Sequence, residues 1–133
     1  MLKISEVSKK IDLPIATIRY YTDLGLVPSV IRDDEGQRIF DDEAIVWLQG
    51  IQFQRELGTP IPEIKEYIEL SQKTGPIALQ KRHDLLLKQY IRAQEQKSAS
   101  QIRLDKLNKK IQLENDIISG KKRDSLSAAR RFN

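Results

Sequence analysis

From Ile77 to Ser119 the chain contains no glycine and no proline. Thr74-Gly75-Pro76 precedes this stretch and Gly120 closes it, so it reads as one helix of about 40 residues, about 65 Å long at 1.5 Å per residue. Its apolar residues step alternately by four and three: Leu79, His83, Leu86, Tyr90, Ala93, Lys97, Ser100, Leu104, Leu107, Ile111, Glu114 and Ile118. This is a heptad seam interrupted by His83, Lys97, Ser100 and Glu114. A seam of that length needs a cover, because helices draw most of their stability from packing. No other stretch of the chain is long enough to supply one. A second copy is the simplest partner. The alternative is a lone solvated helix.

The polar interruptions choose the orientation. Two copies running antiparallel, with a two-fold axis between Ser98 and Ala99, set Leu79 against Ile118, Leu86 against Ile111, Tyr90 against Leu107 and Ala93 against Leu104. His83 then meets Glu114, and Lys97 meets Ser100. A parallel pair sets Lys97 against Lys97 and Glu114 against Glu114, at a like-charge cost. The sequence therefore predicts an antiparallel coiled-coil homodimer.

The first 73 residues are built differently. Ile4, Val7 and Ile11 mark a short helix with Ser5 as its N-cap, and Lys9 and Lys10 at its end. Pro14 opens a second helix carrying Ile15, Ile18, Tyr21 and Leu24, stopped at Gly25. Ser29-Val30-Ile31-Arg32 and Gln37-Arg38-Ile39-Phe40 read as two strands, and Asp33-Asp34-Glu35-Gly36 as their turn. Asp41 caps a third helix with core residues Ile45, Leu48 and Ile51, ended by Gly58. Pro60 and Pro62 frame a fourth, with Ile61, Ile64 and Ile68 on one face. The expected fold is mainly α: a winged helix-turn-helix with two further helices (residues 1–73), a dimerisation helix (76–118) and a flexible basic tail (119–133).

Charge alone does not point to nucleic acid. The net charge is +4, but residues 1–75 hold 9 Lys/Arg against 13 Asp/Glu, and residues 76–133 hold 14 against 6. DNA binding by the first half must rest on placed cations. Lys10 on the first helix, Thr17, Arg19 and Tyr20 on the second, and Arg32 and Arg38 on the wing strands are the candidates. Arginine gives directed, bidentate hydrogen bonds to phosphate or guanine, and a tyrosine hydroxyl can hold a phosphate oxygen. Two other readings stay open: Arg19 as an i,i+4 ion pair with Asp23, and the tyrosines as core, Tyr21 foremost. The chain has no cysteine and one histidine, so disulfides, thiolate metal sites and thiol redox sensing are excluded and no metal or cofactor is expected. No apolar run reaches the ~20 residues of a membrane helix, and the N-terminus does not read as a signal peptide, so the cytoplasm is the expected location. No nucleophile triad, phosphate loop or paired-carboxylate pocket is evident, so an enzyme is not expected. An architectural coiled-coil protein with secondary DNA binding is the alternative to a regulator.

The ordered runs Ile4-Ser5-Glu6-Val7, Thr17-Ile18-Arg19-Tyr20-Tyr21, Leu24-Gly25-Leu26-Val27-Pro28 and Gly36-Gln37-Arg38-Ile39-Phe40 resemble the signature of the MerR family of bacterial transcription regulators, over roughly residues 2–72. Arg55-Glu56-Leu57-Gly58 resembles its junction between the third and fourth helices. Gln37 stands where that family usually has an aromatic, and Pro14 and Pro60 where it has polar caps. The resemblance implies a homodimer on a pseudo-palindromic operator in double-stranded DNA. It implies that an effector alters the angle between the DNA-binding domains, and that bending and untwisting the DNA realigns the promoter for RNA polymerase. Without thiols the effector is organic or another protein. Trp47 and Ile51 fall on a side of the third helix away from Ile45 and Leu48, and with Tyr67 they mark the expected effector site, at the end of the partner's coiled coil. In the tail, Lys121, Lys122, Arg123, Arg130 and Arg131 stand against Asp124. They read as a solvated end or as a non-specific aid to DNA or protein binding.

Overall fold

A computed structural model describes residues 1–124. Its elements, in chain order, are β1 (Leu2–Lys3), α1 (Ile4–Ile11), α2 (Ile15–Asp23), β2 (Ile31–Arg32), β3 (Arg38–Phe40), α3 (Asp42–Glu56), α4 (Ile61–Ser71) and α5 (Pro76–Ile118). The small sheet is antiparallel in the order β1-β3-β2, with Leu2 opposite Phe40 and Ile31 opposite Ile39. β1 has no counterpart in the sequence reading, and the wing strands are shorter than expected there.

Helix ends explain most of the boundaries. α1 begins one residue before the expected cap: Lys3 is the N-cap, and its backbone N–H donates to the Glu6 carboxylate at 3.0 Å. Ser5 therefore lies inside the helix and caps nothing; Glu6 reaching back to Lys3 displaced it. Pro14 precedes α2 without a side-chain cap. At the other end of α2, Leu26 N–H bonds Tyr21 O and Gly25 N–H bonds Thr22 O. This Schellman pairing requires the left-handed backbone that Gly25 adopts at φ +76°. α3 ends by the same pattern, with Thr59 N–H on Gln54 O and Gly58 N–H on Arg55 O. Asp41 caps α3 as expected, accepting from Ala44 N–H at 2.7 Å and from the Ser29 hydroxyl at 2.8 Å. The Ala44 bond first, and the Ser29 bond second, hold the Asp41 carboxyl below the usual carboxylate range.

Burial then joins the elements. Val7 of α1, Ile18 and Tyr21 of α2, Leu26, Phe40 of β3, Leu48 and Ile51 of α3, and Ile64 and Ile68 of α4 form one cluster. Fully burying each of the large aliphatic or aromatic members contributes about 1.5–3 kcal/mol. Ile51 lies on the core face of α3 with Ile45 and Leu48, as the core stripe predicts and not on a separate face with Trp47, because Ala44, Leu48 and Ile51 lie at i, i+4 and i+7. Trp47 sits half-buried at the edge of that face. The apolar side chains that α3 leaves exposed are Val46, Phe53 and Leu57.

The first compact unit runs from Met1 to Gln89, past the Thr74-Gly75-Pro76 turn where the sequence reading divided the chain. Polar ties carry it there. Arg82 donates to Leu70 O at 3.0 Å and to Lys73 O at 3.1 Å, closing off carbonyls at the end of α4. Gln89 donates to Gln54 at 2.9 Å, and the Lys88 ammonium lies 3.3 Å from Glu63.

In the second unit, from Tyr90 onward, the helix ends at Ile118 as expected. Tyr90, Leu104, Leu107, Ile111 and Ile118 are all exposed, as are Leu79 and Leu86 of the first unit. His83 and Ala93 are exposed too. The seam is therefore uncovered among the described residues. Ile77, Leu87, Ile91 and Ile102 add exposed apolar surface off the seam. Beyond the helix, Lys122 N–H bonds Asp116 O at 3.0 Å, and the Lys122 ammonium is 3.7 Å from the Asp116 carboxylate. The first tail residues thus turn back onto the helix end, while Arg130 and Arg131 lie outside the described residues. Among the described residues no helix is long and apolar enough to cross a membrane.

Candidate nucleic-acid interface

Two short helices and the wing bring three arginines and a lysine to one open cleft of about 430 Å³, lined by Lys3, Ile4, Ser5, Arg19, Arg32, Gln37 and Arg38. The sequence separates these residues widely. α2 is fixed by burial of Ile18 and Tyr21, which turns Arg19 outward. Pairing of β1 with β3 fixes Lys3 opposite Ile39. β2 pairs with β3 so that Arg32 faces Arg38 in register. The wing turn is held by Asp33, whose carboxylate accepts from Glu35 N–H at 3.0 Å and Gln37 N–H at 2.9 Å. Gly36 stands in the left-handed region at φ +79°, as the hairpin reading required.

The cations differ in how free they are. Arg19 makes no hydrogen bond or ion pair among the described residues, so the Asp23 partner allowed by the sequence is not used. Asp23 instead pairs with Arg38 across the α2–β3 junction. The Arg38 side chain is only 16% exposed; part of its role is to hold the wing to α2. Arg32 donates to Gly36 O at 2.7 Å, bracing the wing turn. Tyr21 is buried and Tyr20 is 53% exposed, with ring centres 5.8 Å apart. Tyr20 is thus available to a ligand and Tyr21 is core.

Of the sequence candidates, the structure gathers Arg19, Arg32 and Arg38 into the cleft. Thr17, Tyr20 and Lys10 are not among its lining residues; Thr17 is half-buried and Lys10 is exposed at the end of α1. The sequence reading missed Lys3, Ser5 and Gln37. Lys3 had no signal, because its position depends on a two-residue strand.

Residues 2–71 match the sequence profile of MerR HTH family regulatory proteins. The chain belongs to the MerR family. Among curated MerR-type relatives, the HTH-type transcriptional regulator AdhR of Bacillus subtilis is 41% identical over 69 residues, which cover 52% of this chain and 49% of AdhR. The chain spans about half the length of the curated relatives it matches. A solved MerR family transcriptional regulator from Bacillus thuringiensis has a TM-score of 0.64 and 33% identity, covering 83% of this chain and 96% of that one. HiNmlR, a MerR family regulator lacking the sensor domain and solved bound to promoter DNA, has a TM-score of 0.68 and 26% identity, covering 89% of each chain.

A second cavity lies within the first unit. A cleft of about 240 Å³ between α3, α4 and α5 is lined by Trp47, Ile51 and Tyr67 together with Phe53, Gln54, Ile64 and Leu86 among others. The three candidate effector residues thus share one cleft. Phe53, Gln54 and Leu86 were not expected there. The heptad pattern places Leu86 on the dimer seam alone. Among the described residues no group of three or more His, Cys, Asp or Glu could hold a metal ion.

Proposed function

We propose that the chain is a homodimeric transcription regulator that binds a pseudo-palindromic promoter operator, distorts the double-stranded DNA and so acts on RNA polymerase at that promoter in response to an effector. The observation that carries this reading is Arg19, without a partner among the described residues, beside Lys3, Arg32 and Arg38 in a cleft between helix and wing. HiNmlR, a relative of the same fold, is bound to promoter DNA. α2 enters the major groove with Arg19 and Thr17 toward the bases, and Tyr20, Lys10 and the wing arginines take phosphates. Because residues 1–75 carry 13 acidic against 9 basic residues, attraction to DNA is local to this surface, and non-specific affinity is weak for a chain of this net charge. The exposed seam of α5 supports the antiparallel dimer. A regulator of this kind works in the cytoplasm. It is a regulatory protein and not an enzyme, as its family membership states.

The test is anisotropy of labelled DNA from the upstream region of its own gene. Selective binding that is weakened by Arg19→Ala is the expected result. Equal affinity for the native and Arg19→Ala chains removes α2 from the interface.

A further inference from the structure

The three arginines of the cleft between α2 and the wing differ in how much of their charge is free. Arg19 is exposed and without a partner among the described residues. Arg32 donates to the Gly36 carbonyl oxygen at 2.7 Å, a neutral acceptor that leaves the positive charge uncompensated. Arg38 is paired with the Asp23 carboxylate through Nη2. Its side chain is 16% exposed, and that of Asp23 is 56% exposed.

Asp23 is poorly placed for any simpler purpose. It is the last residue of α2, where a carboxylate meets the negative end of the helix dipole. It stands one turn beyond Arg19, on the same face of the helix, so it also turns a negative charge toward the DNA. Neither the helix nor attraction to phosphate gains from that charge. The structural gain is small as well, because the carboxylate is more than half exposed and such pairs contribute little. What the carboxylate does change is the electrostatic reach of Arg38. From a distance the pair is neutral. A phosphate that comes into contact still finds N–H donors on the guanidinium beyond Nη2.

The phosphate backbone carries the same charge whatever the sequence, so a fully charged cation raises affinity for all DNA alike. A cation muted by a neighbouring carboxylate adds little to loose binding and contributes in a docked complex, where one phosphate reaches the guanidinium directly. We propose that Asp23 is a specificity-determining residue that acts through Arg38: it silences the wing arginine toward non-specific DNA and orients it for one operator phosphate. Asp23 is thus a positioning residue that touches no DNA itself. The inference rests on the DNA-binding reading above and names the residue that sets the ratio of operator to non-specific affinity.

Asp23→Asn keeps the shape and an acceptor oxygen for Arg38 and removes the charge. Anisotropy of labelled operator and of a scrambled duplex of equal length, across about 50 to 200 mM salt, gives both affinities and their salt slopes. The variant is expected to bind scrambled DNA about five- to tenfold more tightly at about 100 mM salt, with a log–log slope steeper by about 0.9, the worth of one added phosphate contact. Operator affinity is expected to rise by no more than about twofold, because Arg38 is already docked there. The ratio therefore falls about fivefold. Asp23→Glu, which restores the charge, should restore the native ratio, and in an Arg38→Gln background Asp23→Asn should leave the ratio unchanged. Equal gains on both DNAs make Asp23 a general repulsive charge and overturn the proposal. Weaker operator binding with scrambled DNA unaffected makes it only a brace and overturns it too, as does a change of ratio that persists without Arg38. A native chain with no preference for the operator removes the DNA-binding reading and this proposal with it; a native preference that Asp23→Asn leaves intact removes this proposal alone.

Discussion

Arg19→Ala separates DNA recognition from folding. Arg19 is exposed and makes no hydrogen bond or ion pair among the described residues, so its removal should change unfolding free energy by no more than about 0.5 kcal/mol. If it reads a base, operator affinity should fall by about 1–3 kcal/mol, or roughly 5- to 150-fold. If it holds a phosphate, the loss is smaller and the slope of log affinity against log salt shrinks by about one. Arg38→Ala should behave differently, because Arg38 is paired with Asp23 and is largely buried. It should cost about 0.5–1 kcal/mol of stability as well as DNA affinity. Asp23→Ala should lower stability by a similar amount, and the double variant should show the coupling between them. Urea unfolding gives the stability changes, and anisotropy across about 50 to 200 mM salt gives the binding changes. The reasoning is refuted if Arg19→Ala destabilises the chain by more than Arg38→Ala does, or if neither alters operator affinity.

Leu79→Cys combined with Ile118→Cys should crosslink between two copies under mild oxidation, whereas Leu86→Cys alone should not; efficient self-crosslinking at position 86 indicates a parallel pair. Asp41→Ala should remove the α3 cap and lower stability at neutral pH. Because the folded Asp41 carboxyl titrates below its unfolded value, its contribution is fully present above the unfolded pKa of about 3.9 and is lost as pH falls through the lower folded value. Acid unfolding of native and Asp41→Ala chains should therefore converge at low pH, and a constant gap across the range contradicts this. Gly25→Ala should destabilise by about 1 kcal/mol through backbone strain alone, since a Cβ there meets nothing within 4 Å; an unchanged urea midpoint counts against the strain.

The helices were legible where local chemistry decides them. Asp41, Gly25, Gly58 and the uninterrupted run after Pro76 each mark a boundary through their own backbone or side chain. Tyr21 could be told from Tyr20 because helical spacing assigns one to the core. What escaped the sequence depends on contacts between distant segments. β1 exists only because Leu2 and Lys3 lie beside β3, and no two-residue run carries a strand period of its own. The Arg38–Asp23 pair joins residues on different elements, so neighbour spacing favoured Arg19 instead. The core stripe places Ile51 with Ile45 and Leu48, whereas its pairing with Trp47 on a second face does not hold, because Ile51 is buried and Trp47 sits at the edge. The attachment of α5 to the first unit rests on Arg82 and Gln89, polar residues that a search for apolar stripes passes over. In the candidate interface, Arg19, Arg32 and Arg38 were legible from element and residue type, and Lys3 was not.

Sequence-specific DNA binding by a dimer underlies the proposed function. Footprinting on the upstream region of its own gene, with sedimentation of the complex, tests it most directly. The expected result is a protected pseudo-palindrome occupied by two chains, bound at least about 10³-fold more tightly than scrambled DNA at the same salt concentration. Equal affinity for the two DNAs, or one chain per site, would contradict it.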